Sequence, residues 1–238
     1  MSTSHNNNLF YAPEEDWLGN GSSVEIKGQE VIHISKVLRC KEGDVILVAN
    51  GRGDHCECEI TDIGKKSVSA KVLKKSSGSI PEIKKVLAFG AIKKRDRLEF
   101  AIEKAVELDA WEICIFDADH SERSRLNEER IRTQIISAFK QSRRFFLPKL
   151  VIKKSLDDVF DYYKEHQKHM AYIGEDVSAT SPKNLDTENN LLLVGPEGGF
   201  SNREVKLTKE RGGIFINLGK NRLRAETAVV AFLSQYLY

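Results

Sequence analysis

The sequence predicts an α/β protein of two domains, in which a mainly parallel sheet follows a small β-barrel. Three observations predict this class. Between Val24 and Leu73 short strands alternate with tight turns around one helical segment, a pattern typical of a small barrel. From Val86 onward strands and helices alternate, which is typical of a parallel sheet. Near the C-terminus two strands each end in a glycine-containing loop followed by a helix, and open α/β sheets place ligands at such strand ends.

The segment from residue 76 to 82 separates the two patterns. It contains Ser-Ser-Gly-Ser-Ile-Pro, and small flexible residues closed by a proline are typical of a linker. We therefore predict a barrel domain over residues 1–75, a linker over 76–82 and an α/β domain over 83–238. The polar start, residues 1 to 8, is predicted to be frayed. The polar run from residue 174 to 189 is predicted to be a surface loop.

Elements of both domains follow from hydrophobic periodicity. Between Gln29 and Arg39 apolar residues recur at helical spacing, which predicts the helix of the barrel domain. The predicted barrel strands include residues 44–50, 55–60 and 67–73. In the second domain the predicted strands are 86–89, 112–116, 150–152, 170–173, 191–194 and 214–218, and the predicted helices are 97–109, 128–145, 156–167, 202–211 and a last one from about 225.

Composition and charge set few limits on function. The chain has 37 Lys and Arg against 35 Asp and Glu, a net charge of +2, which neither favours nor opposes a nucleic-acid partner. No apolar run of membrane-spanning length and no secretory leader is visible, so we expect a soluble cytoplasmic protein. Its four cysteines lack metal-ligand spacing, so we expect no metal site.

The first glycine loop follows a short apolar strand. Residues 191–194 read Leu-Leu-Leu-Val, which predicts a strand buried on both faces, and Gly195-Pro-Glu-Gly-Gly-Phe ends it. Glycine backbones permit positive φ and allow a ligand to approach closely. Ser201 with Glu204 has the spacing of a helix capping box. Glycines alone would be explained by tight turns, but this string is followed by Leu218-Gly-Lys-Asn-Arg-Leu-Arg-Ala-Glu-Thr-Ala.

The two strings together closely resemble the RsmE family of SPOUT (α/β-knot) RNA methyltransferases. The resemblance implies a trefoil-knotted methyltransferase domain with a mainly parallel sheet, preceded by a PUA-like RNA-binding barrel. It implies methylation of N3 of a uridine in 16S (small-subunit) ribosomal RNA, with S-adenosylmethionine as the cofactor. The implied partner is small-subunit ribosomal RNA, either as naked RNA or within the assembled 30S particle.

The resemblance also implies a cofactor site between the two loops. The residues expected to line it are Gly195, Glu197, Gly198, Gly199, Leu218, Gly219, Leu223 and Arg224. Uracil N3 carries a proton, so its methylation needs a base or a cation that stabilises the uridylate. Arg224 is expected to be that cation. Glu226 is either a base or a structural carboxylate at a helix start, and the sequence leaves both open.

Candidate RNA-binding residues fall in three places. Lys93, Lys94 and Arg97 crowd a predicted helix start, where the dipole favours anions, which indicates an anionic partner. Residues 140 to 154 contain six basic residues, no acid and two phenylalanines, a combination suited to single-stranded RNA. Gln141 and Arg144 in this run match the family motif. His33 and Arg39 match the family's barrel, although residues 1–80 hold only 10 basic residues against 11 acidic ones.

The last helix and two departures from the family complete the prediction. Residues 228–233 are apolar nearly all round, which predicts burial on every side and, with the resemblance, a homodimer; a helix buried in the core of a monomer is the alternative. Asp109 stands where the family usually has glycine, and Arg222 where it commonly has isoleucine. Alternative readings are methylation of another atom, such as a ribose 2′-OH, and an RNA-binding or assembly protein without catalysis. A nucleotide-binding α/β protein is disfavoured because no P-loop motif is present.

Overall fold

The structure is a computed structural model that describes residues 8–122, 126–174, 178–181, 185 and 188–237. Residues 1–7 and half of the polar run 174–189 therefore lie outside the described residues. The chain forms two compact units. The first contains the chain up to Ile80 together with Phe139–Leu147, and the second contains Pro81–Ala138 and Pro148 to the C-terminus. None of the described helices is long and apolar enough to cross a membrane.

The first unit is a curled six-stranded sheet with one helical segment. Its strands are β1 (Leu9–Tyr11), β2 (Trp17–Leu18), β3 (Ser23–Lys27), β4 (Val45–Ala49), β5 (Asp54–Ile63) and β6 (Ser67–Ser77), in the spatial order β1-β4-β5-β6-β3-β2. Helix α1 (Gln29–Ile32) continues into a π-helical turn over His33–Val37. All pairs are antiparallel except β1 with β4. Strand β6 extends to Ser77, past the start of the predicted linker.

Alternating side chains of these strands fill the core of the first unit. Phe10, Ile26, Ile46 and Ile60 are fully buried and belong to one cluster. The helical segment contributes Ile34 from one of its faces. The period-two alternation that predicted the strands therefore positions their apolar side chains inward, as a half-buried sheet requires.

Residues 139–147 join the first unit through backbone pairing and ring stacking. The amide of Gly53 donates to the carbonyl of Phe145 (2.8 Å), and Phe145 stacks on His55 with ring centroids 3.6 Å apart. Phe146 packs against Gly53 so closely that a Cβ there would lie 2.5 Å from its ring. The helix predicted to continue to residue 145 ends at Gln141, because Arg143 takes φ +56°, which no α-helix contains.

The second unit is a six-stranded sheet in which every pair is parallel, flanked by helices. Its strands are β7 (Lys84–Gly90), β8 (Glu112–Phe116), β9 (Lys149–Lys153), β10 (Gln167–Ala171), β11 (Asn189–Val194) and β12 (Ile214–Ile216), in the order β12-β10-β11-β7-β8-β9. Its helices are α2 (Arg95–Glu107), α3 (Glu128–Gln141), α4 (Leu156–Tyr162), α5 (Asn202–Glu210) and α6 (Ala225–Ser234). The predicted α/β class with a mainly parallel sheet is confirmed.

Strand β11 lies inside the sheet between β10 and β7, and Leu191, Leu192 and Leu193 are completely buried. The prediction that this run is buried on both faces is therefore confirmed. Strand β10 begins three residues earlier than predicted. Hydrophobic periodicity missed the first residues of the strand because Lys168 and His169 are polar, yet both are buried at the amino end of the sheet.

Helix α6 buries one face and packs against α2. Val229, Phe232 and Leu233 are fully buried, whereas Thr227 and Ser234 are exposed. Within one chain the helix is thus not buried on every side, because only one side meets the sheet and α2. Beyond its C-terminal end, buried Lys85 at the start of β7 donates to the carbonyl of Tyr236 (2.9 Å).

Helix α2 ends at an aspartate in the left-handed region. Asp109 takes φ +66°, and the amide of Ala110 donates back to the carbonyl of Ala105 (2.9 Å). This is the position where glycine is favoured at a helix C-terminus, and aspartate is among the few other residues that tolerate it. The departure from the family glycine therefore leaves the helix end intact.

Candidate active site

A cavity of about 530 Å³ lies at the carboxyl ends of β10, β11 and β12 in the second unit. The loops after β11 and β12 form most of its wall, and the start of α6 and one residue of α2 complete it. The lining residues are Arg97, Ala171, Tyr172, Ile173, Gly174, Val194, Gly195, Pro196, Glu197, Gly199, Phe200, Asn217, Leu218, Gly219, Asn221, Arg222, Leu223, Arg224, Ala225 and Ala228. Pockets of this volume accommodate a molecule the size of a dinucleotide fragment or a nucleoside derivative.

The loop after β11 is a tight turn with an open backbone on the cavity side. The amide of Gly199 donates to the carbonyl of Pro196 (2.8 Å), and Gly199 takes φ +72° with nothing within 4 Å of where a Cβ would lie. Gly195 is different, because a Cβ there would lie 3.1 Å from the carbonyl carbon of Gly199. One glycine thus leaves space for a ligand, and the other lets the turn fold back on itself.

The loop after β12 opens through a side-chain turn. Asn217 accepts a hydrogen bond from the amide of Gly219 (2.8 Å), and Gly219 takes φ +147°, again with open space at the Cβ position. Leu218 and Leu223 are half-buried on either side of this opening and line the cavity. Both loops therefore present an accessible backbone flanked by apolar side chains.

Three arginines line the cavity, namely Arg97, Arg222 and Arg224. Arg224 is the N-cap residue of α6 and is exposed. Nη2 of Arg222 donates to the carbonyl of Glu197 (3.3 Å), so this side chain connects the two glycine loops. The residue that departs from the family pattern thus has a defined partner across the cavity.

Glu226 lies behind the cavity wall and is not a lining residue. Glu226 is only 9% exposed, and its Oε1 lies 3.5 Å from Nε of Arg97. Among the described residues its Oε2 has no hydrogen-bond partner. The arrangement ties the start of α6 to the start of α2.

Gly198, which was expected to line the cofactor site, does not line the cavity. A Cβ at this glycine would lie 2.8 Å from Cβ of His120, in the loop that follows β8. Nδ1 of His120 lies 3.3 Å from the carbonyl oxygen of Gly198, within reach of a hydrogen bond. Gly198 therefore allows two loops to pack together, a long-range contact that no local sequence pattern encodes.

An ion-pair network holds the same two loops. Asp119 after β8 accepts two hydrogen bonds from Arg203 on α5, at 2.9 and 2.8 Å, and one from Ser201. These bonds to Arg203 and Ser201 lower the pKa of Asp119 from 3.8 to about 2. The predicted capping box is present, and Oε1 of its Glu204 also accepts from the amide of Asp119 (3.2 Å). Burial raises the pKa of Glu204. The sequence revealed the cap, but not Asp119 as its partner.

The three basic residues at the start of α2 have different environments in the structure. Lys93 forms an ion pair with Glu122, which raises the pKa of Lys93. Lys94 is the exposed N-cap residue of the helix. Arg97 lines the cavity and lies 3.5 Å from Glu226.

The candidate RNA-binding residues of the first unit lie on two segments. His33 packs against the ring of Phe10, and its Nδ1 lies 3.9 Å from the buried carboxylate of Glu30. Lys140 also forms an ion pair with Glu30. The other candidates here are Arg39 (exposed, φ +54°), Gln141 (exposed) and Arg144 (partly buried). Phe145 is stacked on His55, so one face of the ring is already covered.

Comparisons with known proteins agree on one family. The family model described as RNA methyltransferase domain matches residues 81–237, and the model described as RNA methyltransferase PUA domain matches residues 26–73. The chain is 31% identical to ribosomal RNA small subunit methyltransferase E of Rickettsia conorii, covering 92% of this chain and 91% of the relative. It is 30% identical to the Bacillus subtilis protein of that name, covering 91% and 90%.

Solved structures show the same relationship. The probable rRNA-methyltransferase of Porphyromonas gingivalis superposes with a TM-score of 0.84 at 31% identity, covering 95% of each chain. Ribosomal RNA small subunit methyltransferase E of Neisseria gonorrhoeae, solved bound to S-adenosyl methionine, superposes with a TM-score of 0.82 at 26% identity, again over 95% of each chain.

The parallel sheet with its cavity at the strand ends, together with the curled β domain, defines a SPOUT-class RNA methyltransferase with a PUA-like domain. Within this class the chain belongs to the ribosomal RNA small subunit methyltransferase E (RsmE) family. The resemblance drawn from the two glycine loops is thereby confirmed.

Proposed function

We propose that the protein methylates N3 of a uridine in 16S ribosomal RNA, with S-adenosylmethionine as the methyl donor. The observation that carries the proposal is the 530 Å³ cavity, which has two open glycine backbones together with Arg97 and Arg224 around one space. The names of the relatives support a small-subunit ribosomal RNA substrate. The choice of uridine N3 comes from the resemblance to the family.

The residues of the cavity suit S-adenosylmethionine. Gly199 and Gly219 leave space where other residues would place a Cβ, so backbone amides and carbonyls can contact the adenosine moiety. Leu218 and Leu223 supply apolar surface for the adenine ring. The remaining residues proposed to bind are Gly195, Glu197 and Arg224, while Gly198 supports the loop through His120. When bound, S-adenosylmethionine supplies an electrophilic methyl group on a sulfonium.

The chain itself must make uracil N3 nucleophilic. Loss of the N3 proton leaves a negative charge shared with the ring oxygens, and a preorganised cation in a partly water-excluded cavity stabilises that charge. Arg224 is suited to this role because it lines the cavity at the N-cap position of α6. We therefore retain Arg224 as a catalytic residue.

RNA recognition is proposed for both units, described separately. The first unit contains the region matched by the PUA model and offers His33, Arg39, Gln141 and Arg144. The second offers Lys93 and Lys94 at the start of α2. Lysine and arginine neutralise phosphates, and such contacts provide affinity without sequence specificity.

The proposal includes an assembly state and a cellular site. Apolar Val230 and Ala231 on α6 remain only partly buried in one chain, and Phe100 on the neighbouring α2 is 43% exposed. A second copy of the chain would cover such a surface, so we propose a homodimer. The substrate is small-subunit RNA, naked or within the 30S particle, and methylation of this RNA places the protein in the cytoplasm.

One experiment tests the proposed function. Small-subunit RNA from a strain lacking the protein is digested to nucleosides and compared with wild-type RNA by mass spectrometry. We expect 3-methyluridine to be absent and to return when the wild-type gene is supplied. Loss of a 2′-O-methylated nucleoside instead would reassign the target atom. Unchanged nucleosides together with no calorimetric binding of S-adenosylmethionine would show a binding protein without catalysis.

A further inference from the structure

We propose that Arg97 is a second catalytic residue, one that contacts the deprotonated uracil, and that Glu226 is the positioning residue that holds it at the cavity. This inference rests on the proposed function and assigns two groups within the same site. It makes the expected anionic partner of Arg97 specific, as the deprotonated uracil, and it chooses between the two roles left open for Glu226.

The direction of the Arg97 side chain separates it from its neighbour on the same helix. Side chains two positions apart project from different sides of an α-helix. The side chain of Arg95 is 72% exposed and pairs with Glu99 one turn on, at 3.6 Å. The side chain of Arg97 is only 23% exposed and lines the cavity between the two glycine loops. Of these two arginines, Arg97 is therefore the one that reaches a ligand there.

The position of Glu226 favours a positioning role over direct proton transfer. Its side chain is 11% exposed, and the cavity is lined by Ala225 and Ala228 on either side of it but not by Glu226 itself. A general base must come within about 2.6–3.2 Å of the proton that it removes. The contact that Glu226 makes with a cavity residue is the one to Arg97, so we assign Glu226 a role that acts through Arg97.

The contact between the two groups leaves donors available for a substrate. Oε1 of Glu226 lies 3.5 Å from Nε of Arg97, so the contact uses Nε and spares the two terminal NH₂ groups of the guanidinium. The second carboxylate oxygen has no partner within the described residues, which is unfavourable for a buried acceptor.

The chemistry requires such a cation. Methylation at N3 forms an N–C bond, breaks the methyl–sulfur bond of the donor and releases the N3 proton to water. Negative charge on the uracil oxygens is greatest before the N–C bond forms. A guanidinium whose orientation is fixed by a buried carboxylate stabilises this charge without reorganising.

The test compares Arg97→Met, Arg97→Lys, Glu226→Gln, the double variant Arg97→Met/Glu226→Gln and the control Arg95→Met, which removes a cation from the same helix end but not from the cavity. Affinity for S-adenosylmethionine is measured by calorimetry without RNA, and folding by thermal unfolding. Single-turnover methylation is measured on small-subunit particles from a strain lacking the protein, over pH values from neutral to alkaline.

We expect Arg97→Met to lower the saturating rate by about 10²–10³, as loss of one oxyanion-type donor does. The rate should recover partly at alkaline pH, where more N3 is already deprotonated, and Arg97→Lys should recover much of it at neutral pH. Glu226→Gln should slow transfer less and keep the shape of the wild-type pH profile. Cofactor affinity should stay within about threefold of wild type in every variant, since the contacts to donor are made by the loops.

Two further outcomes keep the proposal testable. Arg97→Met leaves a buried unpaired carboxylate and is expected to unfold at lower temperature, whereas the double variant lacks both charges and should fold better yet transfer no faster. The proposal is overturned if Arg97→Met transfers at the rate of Arg95→Met. It is also overturned if Glu226→Gln removes the acidic limb of the pH profile, as loss of a base would. If the wild-type protein itself binds no S-adenosylmethionine or leaves N3 unmodified, the proposed function fails instead.

Discussion

Single glycines in the two cavity loops serve two different physical purposes. Gly199 and Gly219 take positive φ with open space at the Cβ position, so they leave backbone accessible to a ligand. Gly195 and Gly198 have a neighbour within 3.1 Å and 2.8 Å of that position, so they allow chain segments to pack together. The sequence showed that these glycines belong to one ligand-binding pattern. It could not sort them, because the sorting depends on Gly199 and His120 contacts made only in the folded chain.

Gly219→Val is expected to abolish binding of S-adenosylmethionine. A β-branched side chain resists φ +147° and fills the open side of the cavity. Gly198→Val is expected to weaken binding indirectly, because the new side chain displaces His120. Calorimetry measures the affinity, and hydrogen exchange over residues 118–122 separates the two effects. Protection of that loop should fall in Gly198→Val and stay at the wild-type level in Gly219→Val, and the opposite pattern would contradict this assignment.

Asp109 provides a test of backbone strain outside the active site. Its φ of +66° is accessible to aspartate but strongly disfavoured for a β-branched residue. Asp109→Val should lower the free energy of unfolding by about 1–2 kcal/mol, whereas Asp109→Gly should lower it by much less. Urea denaturation measures both variants, and equal stability of the two would show that the helix end rearranges.

At the scale of elements, hydrophobic periodicity predicted the strands and helices of the second unit and β4, β5 and β6 of the first. It did not predict the very short strands β1 and β2, and α4 ends at Tyr162, five residues before the predicted end. Helix α3 stops at Gln141 because Arg143 adopts a left-handed conformation, and arginine carries no sequence signal for that. The predicted start of strand β10 was too late because Lys168 and His169 are polar, although both are buried in the strand. The sequence predicted an anionic partner for the helix start that contains Arg97, and only the packing of α2 against α6 shows which residue of that turn lines the cavity.

The connection between the loop after β8 and helix α5 should depend on acidity. The pKa of Asp119 is lowered from 3.8 to about 2 by its hydrogen bonds to Arg203 and Ser201. A lowered pKa in the folded state means that the ionised group contributes stability, which is complete above about pH 4 and is lost as the pH falls through 2. Protonation therefore loosens the loop only in strong acid.

Arg203→Met should raise the pKa of Asp119 towards its ordinary value, and the loop should loosen at higher pH than in wild type. NMR titration of the Asp119 carboxyl carbon measures the pKa directly. Lys206→Met on the same helix, where Lys206 pairs only with Glu210 at 3.8 Å among the contacts described, serves as the control and should leave the titration unchanged. An unshifted Asp119 in Arg203→Met would show that Ser201 alone sets its pKa.

At the scale of the whole molecule, the sequence indicated two domains in order but not their interleaving. The change of pattern near residue 80 coincides with the end of the first long segment of the first unit. The segment Phe139–Leu147 belongs to the first unit because its backbone pairs with Gly51 and Gly53, which are far away in the sequence. No local sequence pattern indicates such a contact. The six basic residues between 140 and 154 are consequently divided between the two units.

This division motivates a prediction on RNA binding. Arg144→Ala should weaken RNA affinity and reduce the magnitude of its salt dependence, by about 0.7 in the slope of log affinity against log salt concentration for one phosphate contact on a single strand. Lys66→Ala, an exposed cation of the first unit outside the family motif, is the matched control. Filter binding over a range of salt concentrations measures both. An unchanged slope in Arg144→Ala would remove this residue from the RNA interface.

The discontinuous first unit has a consequence for synthesis of the protein on the ribosome. Its strands leave the ribosome first, yet the unit stays incomplete until Leu147 has been added. By then the residues of β7, α2, β8 and α3 have also been synthesised. The cavity needs the loop after β12 and the start of α6, so it forms only when translation is nearly finished. The first unit can therefore be completed only after part of the second has been synthesised, and the second is completed last. The capacity to bind the methyl donor appears at the end of synthesis.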